Sequence, residues 1–277
     1  MASFAEKFQA LRVESGSAAL VWLGQAGFLL KTADGAVIAI DPYLSDFVYH
    51  SFRERDGLAY KRLTAPLFQP GELHLDAVLC THEHGDHLDL ESLPALLRGG
   101  TPCYTNGPGA EKLLAAGADV SCVHELRKGD RVNLGGIGLL AVDCDHGSLA
   151  PEALGFLLDL GFLRLYDSGD TALTPERLGA ALTCRPEVGL LPINGAFGNL
   201  NGREAAQLAA QLGLRLCIPH HFWTFAAHGG DPMAAIREFR ELAPDCELRL
   251  LTPGEICILR NDVDRARSAA RKPKPCG

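Results

Sequence analysis

Short apolar runs rich in Val, Ile, Leu and Phe recur along the chain, separated by Gly, Asp and Pro and interleaved with stretches of helical period. Runs near 19–24, 27–31 and 36–40 predict three strands, followed by a long mixed segment to about residue 75. A strand over 76–80 enters a polar turn. Beyond the turn, Asp89 is placed to cap a helix with Leu90, Leu93, Leu96 and Leu97 on its apolar side. Strands near 102–105 and 119–123 flank a helix from about Ala110, and a pair near 131–134 and 137–143 follows. The second half repeats the rhythm, with strands near 154–160, 162–166, 187–192, 215–219, 246–251 and 255–259. Helices are predicted near 175–182, after Asn201 with Ala205, Leu208, Ala209 and Leu212 on one face, and from Asp231-Pro232 with Ile236, Phe239 and Leu242. Two β-rich halves with helices at corresponding places imply an α/β fold of two sheets packed face to face with helices outside; the pattern alone admits other α/β layouts. Nothing reads as a linker within 18–260, and residues 1–260 are expected to form a single domain. Residues 261–277 are polar and basic and read as a surface tail.

The turn after the strand at 76–80 holds the densest chemistry. Residues 81–89 read Thr-His-Glu-His-Gly-Asp-His-Leu-Asp, which sets three histidines and an acid in the pattern His82-x-His84-x-Asp86-His87. So many ionisable side chains are too costly for an ordinary core. Neutral imidazoles and carboxylates are the usual donors to zinc and similar borderline metals, and a strand-to-helix turn lets a loop aim several of them at one point. A solvated polar turn is the bland alternative.

This cluster resembles the signature of the metallo-β-lactamase fold superfamily of metal-dependent hydrolases, and the similarity extends over roughly residues 18–260. Trp22-Leu23-Gly24-Gln25-Ala26-Gly27 and Ile40-Asp41-Pro42-Tyr43-Leu44-Ser45 resemble the first hairpin in the branch that includes L-ascorbate-6-phosphate lactonase. Tyr166-Asp167-Ser168-Gly169-Asp170 resembles the segment that delivers a bridging aspartate, and Ile218-Pro219-His220-His221-Phe222 the one that delivers the last histidine. The resemblance implies a four-layer αββα sandwich and two divalent metal ions. His82, His84 and His146 would hold one ion, Asp86, His87 and His221 the other, and Asp170 would bridge them. Zinc is favoured by the histidine count, with manganese the alternative that carboxylates also suit. Asp41 is expected either to orient a ligand histidine from behind or to cap the Pro-Tyr turn. His220 is expected to be a hydrogen-bonded or core neighbour of His221. Two readings stand beside the resemblance. His146 follows an apolar strand at whose end a ligand would project, and Ser168-Gly169 gives a tight turn through which the Asp170 carboxylate can approach an ion. A loop histidine and a helix cap are the plain alternatives.

Composition narrows the functional classes. At 277 residues and 47% apolar, the chain can bury a substantial core. A net charge of −8 gives no electrostatic reason to expect nucleic acid. No apolar run approaches a membrane span and the first residues lack an apolar signal-type segment, so no membrane partner and a cytoplasmic location are expected. Nine cysteines are scattered without a Cys-x-x-Cys pair and read as reduced thiols in apolar runs. Cys144, two residues before His146, faces either the core or the site.

Two ions about 3.5–4 Å apart can share a water whose pKa falls from about 15.7 to about 7, so that a metal-bound hydroxide becomes available at neutral pH. No protein nucleophile is then required, and the Gly-x-Ser-x-Gly elbow, the Walker A loop and the Gly-x-Gly-x-x-Gly fingerprint are all absent. Asp86 and Asp170 are then catalytic as well as ligating. The expectation is a hydrolase acting on a small molecule, by preference a lactonase opening a sugar-acid-like lactone or its phosphate. Phosphodiester hydrolysis, or metal or ligand binding without catalysis, are the alternatives on the same scaffold. Arg53, Arg55, Lys61 and Arg62, on the long loop, either meet an anionic substrate or belong to a solvated connection partly neutralised by Glu54 and Asp56. His228 is a candidate substrate contact or a plain loop histidine, and the glycine-rich segment 194–199 reads as rim of the site. Nothing in the sequence sets an oligomeric state.

Overall fold

Burial on both faces decides where the N-terminal strands sit. In the computed structural model, which describes residues 2–261, β1 (Ser17–Gly24), β2 (Gly27–Thr32) and β3 (Val37–Ile40) are buried along almost their whole length. That is the pattern of a sheet covered on both sides. Alternation then sorts the side chains. Ala18, Leu20, Trp22, Phe28 and Leu30 join the large core between the sheets, whereas Val21, Leu23 and Leu29 pack with Ala5, Phe8, Leu93, Leu96 and Leu113 under a helical layer. That layer comprises α1 (Phe4–Ala10), α2 (Phe47–Phe52), α3 (Leu93–Leu96) and α4 (Gly107–Ala115), of which α1, α3 and α4 supply the packed residues. The first sheet is completed by β4 (Ala77–Leu79), β5 (Cys103–Thr105), β6 (Val123–Glu125) and a C-terminal strand, Ile256–Arg260, that returns to pair antiparallel with β1.

The second sheet comprises β7 (Arg131–Leu134), β8 (Ile137–Asp143), β9 (Leu154–Asp159), β10 (Arg164–Asp167), β11 (Val188–Pro192), β12 (Leu216–His220) and β13 (Glu247–Leu248); Ile256–Arg260 is β14. It is covered by α5 (Gly179–Cys184), α6 (Gly202–Leu212) and α7 (Pro232–Leu242), whose buried Ala181, Leu208, Leu212 and Phe239 join the same core. The result is the expected four-layer αββα sandwich. Asn201 caps α6 in a reciprocal box with Glu204, and Asp231 caps α7 ahead of Pro232. Among the described residues, no helix is long and apolar enough to cross a membrane.

Strand direction positions the site. Each sheet is antiparallel on one side and parallel on the other, so β1, β3 and β4 run one way in the first sheet, as do β8, β10 and β12 in the second. Their carboxyl ends are followed by Gln25, Asp41, the turn 81–87, His146, Asp170 and His221. Ligand sites in open α/β sheets form outside such strand ends.

Three local expectations need correction. Asp89 does not cap a long helix, because α3 is a single turn that starts at Leu93 with Pro94 in its first turn. Its buried carboxylate does accept from the amides of Glu91 and Ser92 at 3.1 and 3.3 Å, capping the turn that leads into α3. It also accepts from the amides of Leu44 and Ser45 at 2.9 Å and from Ser45 Oγ at 2.6 Å, tying the loop after β3 to the turn after β4. The strand expected near 119–123 is a 3-10 turn, Val120–Cys122, capped by Asp119, with β6 starting only at Val123. The strand expected over 246–251 pairs only through Glu247 and Leu248. The tail from residue 262 onward lies outside the described residues.

Candidate metal centre

The turn after β4 is organised by hydrogen bonds that leave particular imidazole nitrogens bare. Asp41, fully buried at the end of β3, accepts from Thr81 N, Thr81 Oγ1 and His87 Nδ1, each at 2.7 Å. Of the two roles open to Asp41, orienting a histidine is the one its contacts serve. The proton on His87 is held at Nδ1 and Nε2 is turned inward. His84 is oriented through its other edge, since Nε2 lies 3.1 Å from the Leu149 carbonyl and must donate there. His84 Nδ1 then faces His82 Nε2 at 2.9 Å and His146 Nε2 at 3.3 Å. Three ring nitrogens turned toward one another in this way suit a shared cation. His82, His84 and His146 form one group whose donor atoms lie within 4.8 Å of one another.

A second group adjoins it. His221 Nε2 is 3.2 Å from Asp86 Oδ2 and 3.1 Å from Asp170 Oδ2, and His87 Nε2 is 3.6 Å from Asp86 and 3.4 Å from Asp170 Oδ1. Asp170 Oδ2 also lies 3.8 Å from His146 Nε2, so this carboxylate touches both groups. All seven predicted ligands are brought together. His87 Nε2 and Asp170 Oδ1 are buried without a hydrogen-bond partner, a condition rarely tolerated unless an ion or water completes it. The donor set therefore fits borderline divalent metals.

Charge is divided between the groups. Burial opposes ionisation of Asp86 and Asp170, but their protonated partners outweigh it: His87 and His221 hold both carboxyls well below the usual range. Burial likewise disfavours imidazolium at His87 and His221, yet Asp170 and further carboxylates raise both, His221 to about 9. Burial dominates on the other side, lowering His82 well below its ordinary value and His146 to about 4. Burial, reinforced by Asp41, pushes the Asp167 carboxyl up to about 8.

His220 and His221 separate cleanly. His221 projects into the centre from a left-handed backbone, φ 62°, while the buried His220 ring packs edge-on against Phe28 at 5.9 Å. His228, expected at most to touch substrate, is buried and stacks on His221 at 4.6 Å, forming a third group of metal donors with Asp86 and His221. Cys144 faces the core: its thiol is buried and donates to the Asp170 carbonyl at 3.0 Å.

One residue of the centre escaped sequence reasoning. Gln25, buried in the turn after β1, places its amide nitrogen 2.8 Å from Asp86 Oδ2, 3.0 Å from His221 Nε2 and 2.7 Å from His228 Nδ1. Its backbone also accepts from His221 N and donates to Thr224 Oγ1. A neutral amide in a hairpin turn carries no metal-binding signal.

Residues 19–221 match the beta-lactamase superfamily domain. The chain belongs to the metallo-β-lactamase superfamily. It is similar to a UPF0173 metal-dependent hydrolase of Methanopyrus kandleri, 30% identical over 85% of this chain and 97% of that one. A UPF0173 metal-dependent hydrolase of Rubrobacter xylanophilus is 29% identical over 87% and 96% of the two chains. Among solved structures, a metallo hydrolase from Ignicoccus hospitalis superposes with a TM-score of 0.68 at 22% identity, over 88% of this chain and 99% of that one. Such a likeness speaks for the superfamily fold.

A cleft of about 680 Å³ opens onto the centre and exposes His84, Asp86, His146, Asp170, His221 and His228 at its floor. The four cations of the long loop do not line it. Arg53, Arg55 and Lys61 are exposed, and Lys61 lies over the Tyr49 ring. Arg62 turns inward to donate to the Tyr43 carbonyl at 2.6 Å and packs on its ring. The segment 194–199 does reach the rim, through Phe197. A second cleft, of about 760 Å³, lies at the opposite strand ends among Glu14, Glu187, Arg215 and Glu247, away from every candidate metal donor.

Proposed function

We propose that this superfamily member is a metal-dependent hydrolase that holds two divalent ions, zinc by preference with manganese as the alternative. The observation that carries the reading is a set of three adjoining donor groups, His82 with His84 and His146, His82 with His87 and Asp170, and Asp86 with His221 and His228, in which Asp86 lies 3.6 Å from His87 and 3.2 Å from His221 and Asp170 touches both sides. The relatives' description as metal-dependent hydrolases supports it. Bound there, the ions supply Lewis acidity and lower the pKa of a water from 15.7 to about 7.

The chain's own residues supply the rest. Asp41 keeps the His87 proton on Nδ1, and the Leu149 carbonyl keeps that of His84 on Nε2. Asp86 and Asp170, held ionised, offset the charge of the ions. His228 accepts the Gln25 amide at Nδ1, so its neutral ring, its pKa lowered to about 4 by burial, carries its proton on Nε2.

Opening of a lactone is the preferred reaction, supported by the resemblance of the first hairpin to the L-ascorbate-6-phosphate lactonase branch. A sugar acid is the substrate that resemblance favours. Its phosphorylated form draws no support from the cleft, because Arg53, Arg55, Lys61 and Arg62 lie outside it. A cytoplasmic location belongs to the same proposal, supported by buried cysteines that remain free thiols, such as Cys80 and Cys217. Elemental analysis of protein purified without chelator, joined to a screen of lactones and phosphodiesters, tests the reading. Close to two equivalents of metal and lactone turnover are expected. A chain that neither contains nor takes up metal defeats it.

A further inference from the structure

The walls of the cleft differ sharply from its floor. The floor carries the histidines and carboxylates of the centre. The walls are built by Phe47, Phe52, Tyr60, Leu90, Leu149 and Phe197, contributed by separate stretches of the chain that the topology brings to one rim. Several of these stand open to solvent. Phe52 is 37% exposed, Phe197 46% and Leu149 52%, although each would be better buried. A contiguous exposed apolar surface beside a reactive centre marks a binding surface. Phe197 is also held at φ 56°, a conformation bulky residues rarely adopt, and its ring lies 5.2 Å from that of His228.

The fixed charges in the walls do not offer an anion site. Glu83 and Lys112 are the charged residues of the lining outside the centre. Lys112 donates to the Glu83 carbonyl at 3.1 Å, and the Glu83 carboxylate accepts from Asn106 at 2.7 Å. A phosphorylated or polyhydroxylated substrate would find one partly engaged cation and few donors there, and would lose more hydration than it regained.

We infer that the substrate carries an apolar alkyl or aryl group beside its scissile carbonyl, bound between Phe52, Phe197 and Leu149 while the carbonyl faces the centre. The inference rests on the hydrolase reading and gives it a substrate class: neutral lactones or esters with a hydrophobic substituent. Hydrolysis balances simply. Water adds to the carbonyl carbon, the carbon–oxygen single bond to the alcohol breaks, and the alkoxide leaves with a proton from that water.

Two measurements on the zinc-loaded protein test it. The first is calorimetric binding of straight-chain carboxylates from acetate to decanoate, which needs no turnover. Affinity should rise about fourfold per methylene, the factor corresponding to 0.8 kcal/mol, until the cleft is filled. The slope should flatten in the Phe52→Ala/Phe197→Ala double variant. A chain-length-independent affinity, or an undiminished slope in that variant, overturns the inference. The second measurement is turnover of a γ-lactone series of increasing alkyl length beside a phosphorylated sugar lactone. Rising kcat/KM along the series, carried by KM, is expected. Hydrolysis that prefers the phosphorylated lactone overturns the apolar class and leaves the hydrolase intact. Steep binding without hydrolysis of any lactone or ester leaves the apolar site standing and removes the hydrolytic reading beneath it.

Discussion

Asp41→Asn changes one atom behind the candidate centre and should weaken one metal position selectively. The carboxylate accepts three hydrogen bonds of 2.7 Å, from Thr81 N, Thr81 Oγ1 and His87 Nδ1. In the variant the amide oxygen can still accept from Thr81 N, and the Thr81 hydroxyl can rotate to accept from the new NH2. His87 cannot adapt without cost. Against an NH2 group its Nδ1 must give up its proton, which leaves the metal-free ring protonated on Nε2 alone, the nitrogen directed at Asp86 and Asp170. To bind metal the ring must revert, and two donors then face each other. A stranded buried donor costs about 1–3 kcal/mol, or roughly a 5- to 150-fold loss of affinity, in keeping with the 10- to 100-fold typical of groups that orient ligand histidines. The protein without metal escapes this penalty, so its Tm should fall by only a few degrees. Zinc titration in competition with a chromophoric chelator resolves the two equivalents: that bound by His82, His84 and His146 should keep its affinity and the other should lose it. Two equivalents both bound as in the parent protein, or both weakened equally, would refute the tautomer argument.

Three further outcomes are expected. His221→Ala should bind one equivalent less, while His220→Ala should keep both and lose about 2–5 kcal/mol of stability, because the buried ring against Phe28 leaves a cavity; equal metal loss in folded variants would mean the pair is misassigned. Burial works against the His221 imidazolium but Asp170 and Asp86 raise its pKa to about 9, and His87 at the same position is raised as well, so below pH 9 protons must leave before the rings can ligate; affinity at that position should climb at least about tenfold per pH unit between pH 6 and 9, and a flat profile from chelator competition would contradict it. Burial pushes the thiols of Cys80, Cys144 and Cys217 well up, whereas Cys184 is partly exposed. Peptide mapping after brief iodoacetamide treatment of native protein should therefore find Cys184 modified and those three intact. Early labelling of Cys144 would place it at the site after all.

The ligand chemistry was legible along the chain because it is local. His82, His84, Asp86 and His87 fall within one turn, and Asp170 and His221 each sit in a short segment of its own character. The apolar runs were legible too, since a strand buried on both faces must be largely apolar, as β3 and β4 are throughout and β1 and β2 are apart from Ser17, Lys31 and Thr32 at their ends. What the sequence could not supply is which side chains meet across long separations. Gln25 and Asp86 are 61 residues apart, and Gln25 and His228 are 203 apart; an amide has no charge or spacing to announce such a role. Asp89 was legible as a cap because caps are read from neighbours in sequence, and it does accept from the Glu91 and Ser92 amides; its further bonds to Leu44 and Ser45 were not. The cations at 53–62 could be read as an anion site or as a solvated connection because composition reveals charge and not direction, and only the packed loop turns Arg62 onto Tyr43 and leaves Arg53 and Arg55 outside the cleft. The sequence by itself determined the candidate metal donors and most of the elements; the tertiary structure decided which groups orient those donors and that the walls around them are apolar, because both depend on strand direction bringing distant loops to one edge.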